Sequence, residues 1–556
     1  MLEQLKYYDI NTPGVYLSIG VVDGVVGQGE KSIGDKEEKD AGKEGHEPPS
    51  RVIGEKILAH YDVLEKPRVS IDIVEGFDGR RRYIVREPQL NNIAKKLLDE
   101  IRRKITSNVK LLDSISGIID FDHGLEYSIK LVGRMGKRYR KRLGEEGLYR
   151  VAYYIARDFV GYGVLDPMVR DKNVEDITCN GLREPVFIFH RDFEWLESNI
   201  VFTSEDELER IVMKLALRAG QEPSVAKPIV EGVIRPEGYR VHIILDVISR
   251  RGHSFTIRKF RAEPFTIVEL INRKTLDPLV AAYLWLGIEY KQGIVIYGPT
   301  GAGKTTLMNA LALLLPPEYK IVTAEDTPEI MLPFHDNWVA MVTRLSSDPY
   351  IQSVTLQAQV ESALRQRPDV IILGEIRSRE AYSFFQAVAT GHGGLTTVHA
   401  ESTEVLINRL AAPPMNVPKS IIAAVRIFVF ITRLQTPEGF VRKVVRVDES
   451  WGYDPEMDSI RLNHIIKWDR DRDQWYMSSR ESSTLKAIAD MLALSYEDVF
   501  RDLVRRATIL YWAAEKNFDI VMFHTIMRRY RRDPEAVYEL AKNSVGEYPI
   551  RIGGSG

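Results

Sequence analysis

Cysteine is almost absent from this sequence, and long hydrophobic runs are missing. The single cysteine among 556 residues, Cys179, excludes a disulfide framework and a four-cysteine zinc site within one chain. Because Val174 and Ile177 are close to it in sequence, we interpret it as a small buried apolar residue rather than a redox or catalytic thiol. The longest apolar stretch, 421–431, is about half as long as a membrane-spanning helix and contains Arg426. The first residues lack the apolar core of a signal peptide, so we expect a cytoplasmic protein.

The sequence also lacks an excess of charge of one sign. It has 76 Lys and Arg against 78 Asp and Glu, a formal net charge of −2, so no global positive field attracts nucleic acid. Seven of the thirteen residues at 130–142 are Lys or Arg, which is typical of a solvated helix face or, alternatively, of a docking surface for acidic partners or lipid headgroups. A second basic segment, 527–532, is interpreted as a solvated helix end or partner surface in preference to a nucleic-acid contact.

The chain is too long for one hydrophobic core, and its composition changes along its length. Residues 24–50 are rich in Gly, Lys and Glu and cannot bury enough apolar area to become ordered, which predicts a flexible linker. We expect an N-terminal segment with this linker at 1–50, a small α+β domain at 51–146, a second α+β domain at 147–262, an α/β domain at 263–470 and a helical region at 471–556.

Two local patterns predict details within these domains. Ser204 and Glu207 have the spacing of a capping box, which predicts a helix that begins beside Ser204. Three apolar runs, 428–431, 441–447 and 460–466, predict an antiparallel extension of the α/β sheet.

The most specific pattern is Gly298-x-x-x-x-Gly303-Lys304-Thr305, which follows the apolar run 294–296 and precedes a helical pattern. A strand, a glycine-rich turn and a helix in this order form a P-loop, whose backbone N–H groups surround phosphates. Lys304 would reach the β- and γ-phosphates, and the Thr305 hydroxyl would bind Mg²⁺. The alternative is a glycine-rich turn without a ligand. We predict ATP and Mg²⁺ as ligands, with these nucleotide-binding residues: Gly298, Pro299, Thr300, Gly301, Ala302, Gly303, Lys304, Thr305 and Thr306.

Three later segments each place polar side chains at the end of an apolar run. The run that starts at 321 ends in Glu325 and is followed by Glu329, and the run that starts at 370 is followed by Glu375. His392 and His399 flank a third run. Open α/β sheets bind ligands at the carboxyl ends of their strands, where Glu375 could bind Mg²⁺ through water or polarise an attacking water. Each pattern alone is weak, since such acids are often helix caps, but their common position after a P-loop argues against coincidence.

Arginines are concentrated just before the P-loop domain. Arg240 and Arg258 lie in predicted strands, and Arg250 and Arg251 lie between them. Arginines on strands usually make surface ion pairs that contribute little. Their position beside the P-loop domain favours a role at the nucleotide for some of them.

Together these segments resemble the secretion and pilus ATPases of the type II/type IV secretion superfamily. Residues 298–305, 325–329, 369–375 and 391–399 resemble its Walker A motif, Asp box, Walker B motif ending in Gly-Glu, and His box. The segments 161–167 and 249–260 resemble the archaeal branch, which includes archaellum motor ATPases and archaeal pilus or secretion ATPases. The four-cysteine zinc insert of many bacterial members is missing.

The resemblance implies a homo-hexameric ring. Each subunit would have α+β N-terminal domains, the second of them PAS-like, joined to a RecA-like P-loop ATPase domain with a helical C-terminal tail. Glu329 would orient the attacking water, although the Glu-Asp-Thr-Pro-Glu sequence leaves Glu325 as an alternative. Glu375 would be the Walker B acid and, with Thr305, a ligand of Mg²⁺. His392 and His399 would sense the γ-phosphate or communicate across subunits. The arginines that would close on the phosphates are Arg240, Arg251 and Arg258, with Arg344, Arg365, Arg367 and Arg377 as weaker candidates.

The implied function is an ATP-hydrolysing motor at the cytoplasmic face of the cell membrane. Such a motor powers either secretion or the assembly of a type IV pilus-like filament, which some members of the family also rotate. Its implied partners are a polytopic membrane platform protein, cytoplasmic accessory proteins and lipid headgroups, and nucleic acid is not expected. Two alternatives remain open. One is a DNA-translocating P-loop ATPase, and the other is a nucleotide-gated scaffold with little turnover.

Overall fold

A computed structural model describes residues 56–118, 120–259, 263–344, 350, 352–436 and 439–553. The linker predicted at 24–50 lies outside these residues. Residues 56–553 contain two nine-stranded sheets with helices around them, so the predicted α/β fold with preceding α+β structure and C-terminal helices is confirmed. Throughout the described ranges, every helix is too short or too polar to cross a membrane.

The first sheet is antiparallel except for one parallel pair, β3 with β6, which is joined through only two residue pairs. Its strand order is β1-β2-β3-β6-β5-β4-β9-β8-β7, and strands such as β5 and β8 alternate between buried and half-buried residues over one core. The strands are β1 Lys56–Leu64, β2 Val69–Glu75, β3 Arg81–Arg86, β4 Val174–Cys179, β5 Pro185–His190, β6 Glu194–Val201, β7 Ile229–Ile234, β8 Tyr239–Ile244 and β9 Ser254–Arg258.

Helices inserted between β3 and β4 form their own core. Four of them pack around Leu97, Ile101, Val151 and Ile155. Strands from both predicted α+β segments lie in the one sheet, because β3 pairs with a strand more than 100 residues away. The helices of this half are α1 Asn92–Ser107, α2 Val109–Ser116, α3 Phe121–Met135, α4 Arg140–Phe159, α5 Asp166–Arg170 and α6 Glu205–Arg218. The capping box predicted at α6 is wrong, since Ser204 makes no side-chain cap hydrogen bond.

The second sheet has a parallel half and an antiparallel half. Its order is β12-β11-β13-β14-β10-β15-β16-β17-β18, with parallel pairing up to β15 and antiparallel pairing after it. The predicted extension is therefore antiparallel from β16 onward, whereas β15 pairs in parallel with β10. The strands are β10 Ile294–Gly298, β11 Ile321–Glu325, β12 Trp338–Val342, β13 Val370–Leu373, β14 Gly393–His399, β15 Ile427–Thr436, β16 Gly439–Asp454, β17 Ser459–Asp469 and β18 Gln474–Met477.

The central parallel strands are buried along their whole length, with a hydrophobic core on each face. Continuous burial explains why these strands are short apolar runs without alternation. The surrounding helices are α7 Ile267–Asn272, α8 Pro278–Glu289, α9 Lys304–Ala312, α10 Leu356–Leu364, α11 Glu380–Ala389, α12 Thr403–Ala411 and α13 Lys419–Ile422.

The C-terminal helices belong to the core of this second sheet. Trp285 of α8 packs against Tyr530, with 5.4 Å between ring centroids. The fully buried carboxylate of Glu449, on β16, accepts hydrogen bonds from the Ser482 hydroxyl at 2.7 Å, from the backbone N–H of Ser483 at 2.9 Å and from the Tyr283 hydroxyl at 2.9 Å. The helices are α14 Ser483–Leu492, α15 Tyr496–Glu515, α16 Ile520–Arg532 and α17 Pro534–Val545, within the predicted helical region.

Candidate nucleotide site

The carboxyl ends of four parallel strands meet at one edge of the second sheet. Gly298, the last residue of β10, pairs in register with His399, the last residue of β14. Glu325 ends β11, and Glu375 follows β13 by two residues. The parallel register therefore brings the glycine motif, two acids and one histidine to the same edge, where open α/β sheets bind ligands.

The glycine motif has the local structure of a P-loop. Gly301 and Gly303 have φ angles of 73° and 91°, a conformation that favours glycine. A Cβ on Gly298 would lie 2.0 Å from the carbonyl oxygen of Ile431, so only glycine allows this approach of β10 to β15. Helix α9 begins at Lys304, directly after the loop, so its N-terminal N–H groups face the same region.

Lys304 is held inside the loop. Its Nζ donates hydrogen bonds to the carbonyl oxygens of Gly298 at 3.1 Å and Pro299 at 3.0 Å, and to Nδ1 of His399 at 3.3 Å. Burial lowers the pKa of Lys304, and the carboxylate of Glu375 opposes this shift. The ammonium group is therefore positioned before any phosphate arrives.

His399 connects this lysine to Glu375. Burial and the charge of Lys304 lower the pKa of His399, so its imidazole is neutral. Because lysine can only donate, Nδ1 is the acceptor and Nε2 bears the proton, and Nε2 lies 3.0 Å from Oε1 of Glu375. Arg377 donates to the other carboxylate oxygen, Oε2, at 2.6 Å. A continuous chain of polar contacts thus links the P-loop to the ends of β14 and β13.

Glu325 holds the backbone around Glu329. Its side chain is buried, and Oε1 accepts the backbone N–H groups of Glu329 at 2.9 Å and Ile330 at 3.0 Å. Burial raises the pKa of Glu325 to about 7, while these two hydrogen bonds oppose the shift. With its oxygen engaged by the backbone, Glu325 acts on the position of Glu329.

Glu329 lies between the P-loop and the first sheet. Burial raises its pKa, whereas the charge of Arg258 and a hydrogen bond from the Thr305 hydroxyl lower it, and the nearby charge of Glu375 raises it. Arg240 also lowers this pKa. The pKa of Glu329 therefore depends both on the Thr305 hydroxyl of the P-loop and on arginines from the first sheet.

Those two arginines come from adjacent strands of the first sheet. Arg240, on β8, and Arg258, the last residue of β9, are neighbours in the ladder. In this structure Arg258 Nε donates to Asp176 Oδ1 at 2.9 Å, and an Arg240 guanidinium nitrogen donates to Glu231 Oε2 at 3.1 Å. The first sheet thus presents two cations toward the acidic edge of the second.

Two predicted residues are not brought to the P-loop. His392 precedes β14, at the opposite edge of the sheet from His399, and its Nδ1 lies 3.2 Å from the Ala387 carbonyl oxygen. Arg251 lies in the β8–β9 connection, at the far end of the hairpin from Arg258, and pairs with Glu184 at 2.9 Å. Residue order does not show at which end of a strand or hairpin a side chain lies, so the sequence alone did not exclude these two residues from the site.

Comparison with known proteins agrees with this geometry. The family described as "Type II/IV secretion system protein" matches residues 200–437, which include β8, β9, the P-loop and all four strand ends. The uncharacterized protein MJ0900 of Methanocaldococcus jannaschii is 34% identical over 455 residues, covering 78% of this chain and 81% of that protein. The chain belongs to the type II/IV secretion family. The relative from Methanocaldococcus jannaschii also fits the archaeal branch.

Other similar proteins have more specific names. The putative conjugal transfer protein MT3759 of Mycobacterium tuberculosis is 30% identical over 277 residues, covering 49% of this chain and 78% of that protein. Among solved structures, the VirB11 ATPase from the Brucella suis type IV secretion system is 27% identical, with 53% of this chain and 93% of that chain covered and a TM-score of 0.27. At this TM-score, membership of the secretion family rests on sequence similarity.

The donor set of this secretion-family chain suits Mg²⁺ with a nucleotide. Over the described ranges, no group of three or more His, Cys, Asp or Glu side chains could hold a metal ion without help. The oxygen donors near the P-loop are the Thr305 hydroxyl and the carboxylates of Glu329 and Glu375. Mg²⁺ typically retains water and binds through one or two such oxygens plus substrate phosphates, so the residues fit this ion.

Sequence reasoning missed one arginine at the loop. Arg442, on β16, donates from Nε to the carbonyl oxygen of Gly301 at 3.0 Å. It lies 141 residues beyond Gly301 and outside the matched range 200–437. No local motif marks it, because only the pairing of β15 with β16 brings it to the P-loop.

Proposed function

We propose that this chain is an ATP-hydrolysing motor of the secretion family, active as a homo-hexamer, that powers filament assembly or secretion at the cytoplasmic face of the membrane. The observation that supports it is the meeting of the P-loop, Glu375 and the Glu325-bound backbone of Glu329 at one edge of the second sheet, where the charge of Arg258 from the first sheet also acts on Glu329. An acid between a phosphate-binding loop and a cation from another sheet suits hydrolysis in a cleft that opens and closes.

The residues would divide the work as follows. Lys304 and the P-loop N–H groups bind the phosphates, and Thr305 with Glu375 holds Mg²⁺, which supplies charge stabilisation at the phosphates when bound. Glu329 orients the attacking water, helped by a pKa that burial raises. Glu325 fixes the backbone of Glu329, and neutral His399 fixes the carboxylate of Glu375.

Arg240 and Arg258 would close on the phosphates from the first sheet. A nucleotide that contacts both sheets stabilises the closed cleft only by its higher affinity for that state, so hydrolysis is what resets it. The resulting motion would be passed to a membrane platform protein, with accessory proteins and lipid headgroups as further contacts.

A DNA-moving motor is the second candidate, since one relative is named as a putative conjugal transfer protein. The near-neutral net charge, −2, argues against it, because non-specific DNA binding depends on positive charge. A scaffold that binds nucleotide with little turnover is disfavoured by the acids around Thr305.

The test measures ATP hydrolysis by the purified chain against protein concentration, with particle mass recorded in parallel. Vesicles of archaeal-type lipid and duplex DNA are then added separately, and Glu375→Gln serves as the inactive control. A rate that rises as hexamers form, increases with lipid and ignores DNA supports the membrane motor.

Two outcomes would contradict the membrane motor, and a third would contradict the role of Glu375. Stimulation by DNA alone favours the DNA motor, and a ring without turnover under any condition favours the scaffold. Hydrolysis by Glu375→Gln at the wild-type rate would show that the role assigned to Glu375 is wrong.

A further inference from the structure

The hairpin formed by β15 and β16 places two arginines directly opposite one another beside the P-loop. Its ladder pairs Arg433 with Arg442. Like charges directly opposite one another in an antiparallel pair are destabilising, so each guanidinium requires a partner elsewhere. The structure provides one partner in the P-loop and the other in the first sheet.

Arg442 lies along the P-loop. Its Nε donates to the carbonyl oxygen of Gly301 at 3.0 Å. A Cβ added to Gly303 would lie 3.1 Å from the Cδ of Arg442. The absence of a side chain at Gly303 is what leaves room for the arginine. Arg442 therefore contacts two of the glycines that give the loop its shape.

The contact with Gly301 fixes the direction of a peptide plane. In a trans peptide the C=O and N–H groups point in opposite directions, so a donor on the Gly301 carbonyl directs the N–H of Ala302 to the other side. That N–H makes only a long hydrogen bond, 3.4 Å, to the Pro299 carbonyl, which leaves it available to a stronger acceptor. In a P-loop the stronger acceptor is a phosphate oxygen.

Arg433 is neutralised by the first sheet. Its guanidinium is paired with Glu194, the first residue of β6, and lies 3.6 Å from the ring centroid of Phe440. Burial lowers the pKa of Arg442, Glu175 and Glu194 of the first sheet raise it, and Arg433 lowers it. The charge balance of the hairpin thus depends on carboxylates that the second sheet does not contain.

We propose that Arg442 is a positioning residue for nucleotide binding that orients the Gly301–Ala302 peptide, and that Glu194 supports it by neutralising Arg433. This inference rests on the proposed nucleotide-binding role of the P-loop and explains how opening of the cleft would release product. When the first sheet moves away, Arg433 loses Glu194, the two arginines repel each other, and the P-loop loses the contact that orders it.

The test titrates a fluorescent ADP analogue into the full chain and its variants, with melting temperature as the check on folding. Arg442→Ala is expected to raise the dissociation constant about tenfold, the loss of one charge-assisted hydrogen bond, and Arg442→Lys to recover part of it. The KM for ATP should rise by the same factor while kcat changes much less. The matched control is Arg461→Ala, an exposed arginine on β17 of the same sheet.

An unchanged dissociation constant in a normally folded Arg442→Ala variant would overturn the proposal. Lys304→Ala separates this failure from that of the function itself. If the wild type binds no nucleotide, the proposed function fails. If Lys304→Ala loses binding while Arg442→Ala keeps it, only the role of Arg442 fails.

The part played by Glu194 is tested by a double-mutant cycle. Glu194→Gln should raise the dissociation constant about threefold in the wild type, as expected for one half-buried ion pair, and have no effect in the Arg442→Ala background. Equal effects in both backgrounds would show that Glu194 acts independently of Arg442.

Discussion

The two nine-stranded sheets differ in where they can place polar groups. The central strands of the second sheet are buried on both faces, so polar side chains collect where those strands end. The first sheet has one main core, and its alternating strands leave positions outside that core along their length, where half-buried Arg240 and exposed Arg258 form ion pairs. The P-loop and the acids beside it thus belong to the second sheet, and the first sheet adds two further cations, Arg240 and Arg258, that act on Glu329.

Of the variants that test this comparison of the two sheets, the one without the P-loop lysine should lose the most ATPase activity. Lys304→Ala is expected to lower kcat/KM by at least about 10³-fold, because a buried cation at the proposed phosphate site is lost. Steady-state ATPase assays would measure this. Lys291→Ala is the matched control, because Lys291 pairs with Asp369 at 2.8 Å at the start of β13, away from the site. A comparable loss of kcat/KM in Lys291→Ala would show that the two edges of the second sheet do not differ in their importance for activity.

The next largest effect tests whether the first sheet contributes a side chain to ATP hydrolysis. Arg258→Ala should lower kcat about 10²-fold, since its charge acts on Glu329. Arg251→Ala, at the far end of the same hairpin, should stay within about twofold of the wild type. Equal losses in the two variants, measured as single-turnover ATP hydrolysis, would mean that the first sheet acts through its fold and not through one arginine.

The histidines at the two ends of β14, His392 just before it and His399 as its last residue, sharpen the comparison between the two edges of the sheet. His399→Ala should lower kcat by about 10- to 100-fold, because Glu375 loses the group that orients it. His392→Ala, at the other end of the strand, should have a kcat close to that of the wild type. The same ATPase assay serves both variants, and a strong defect in His392→Ala would contradict the separation of the two edges.

The smallest effect concerns the buried carboxyl of Glu325. Its folded pKa of about 7 exceeds the ordinary value of 4.5, so the folded state retains a proton that the unfolded state has lost between these values. Stability should therefore fall as pH rises from about 4.5 to 7. Glu325→Gln cannot ionise, so its melting temperature should decline less over this window, by about 2 °C in calorimetry. Parallel pH profiles for the two proteins would refute this.

The sequence predicts features that depend on neighbouring residues better than features that depend on contacts between distant segments. The P-loop and the run before Glu375 are local, so residue order alone located them. The pairing of β3 with β6 and the contact of Arg442 with Gly301 join distant segments, and no local pattern encodes them. His392 was grouped with His399 because spacing within a motif does not tell which end of a strand a residue occupies.

Glu449 has a consequence for the C-terminal helices. Three of its hydrogen-bond donors, from Ser482, Ser483 and Thr484, come from the segment that opens the C-terminal helices. Without this segment the carboxylate of Glu449 would lose half of its hydrogen-bond donors. The buried charge of Glu449 therefore depends on the segment after β18, so this one residue of β16 fastens the helical tail to the second sheet.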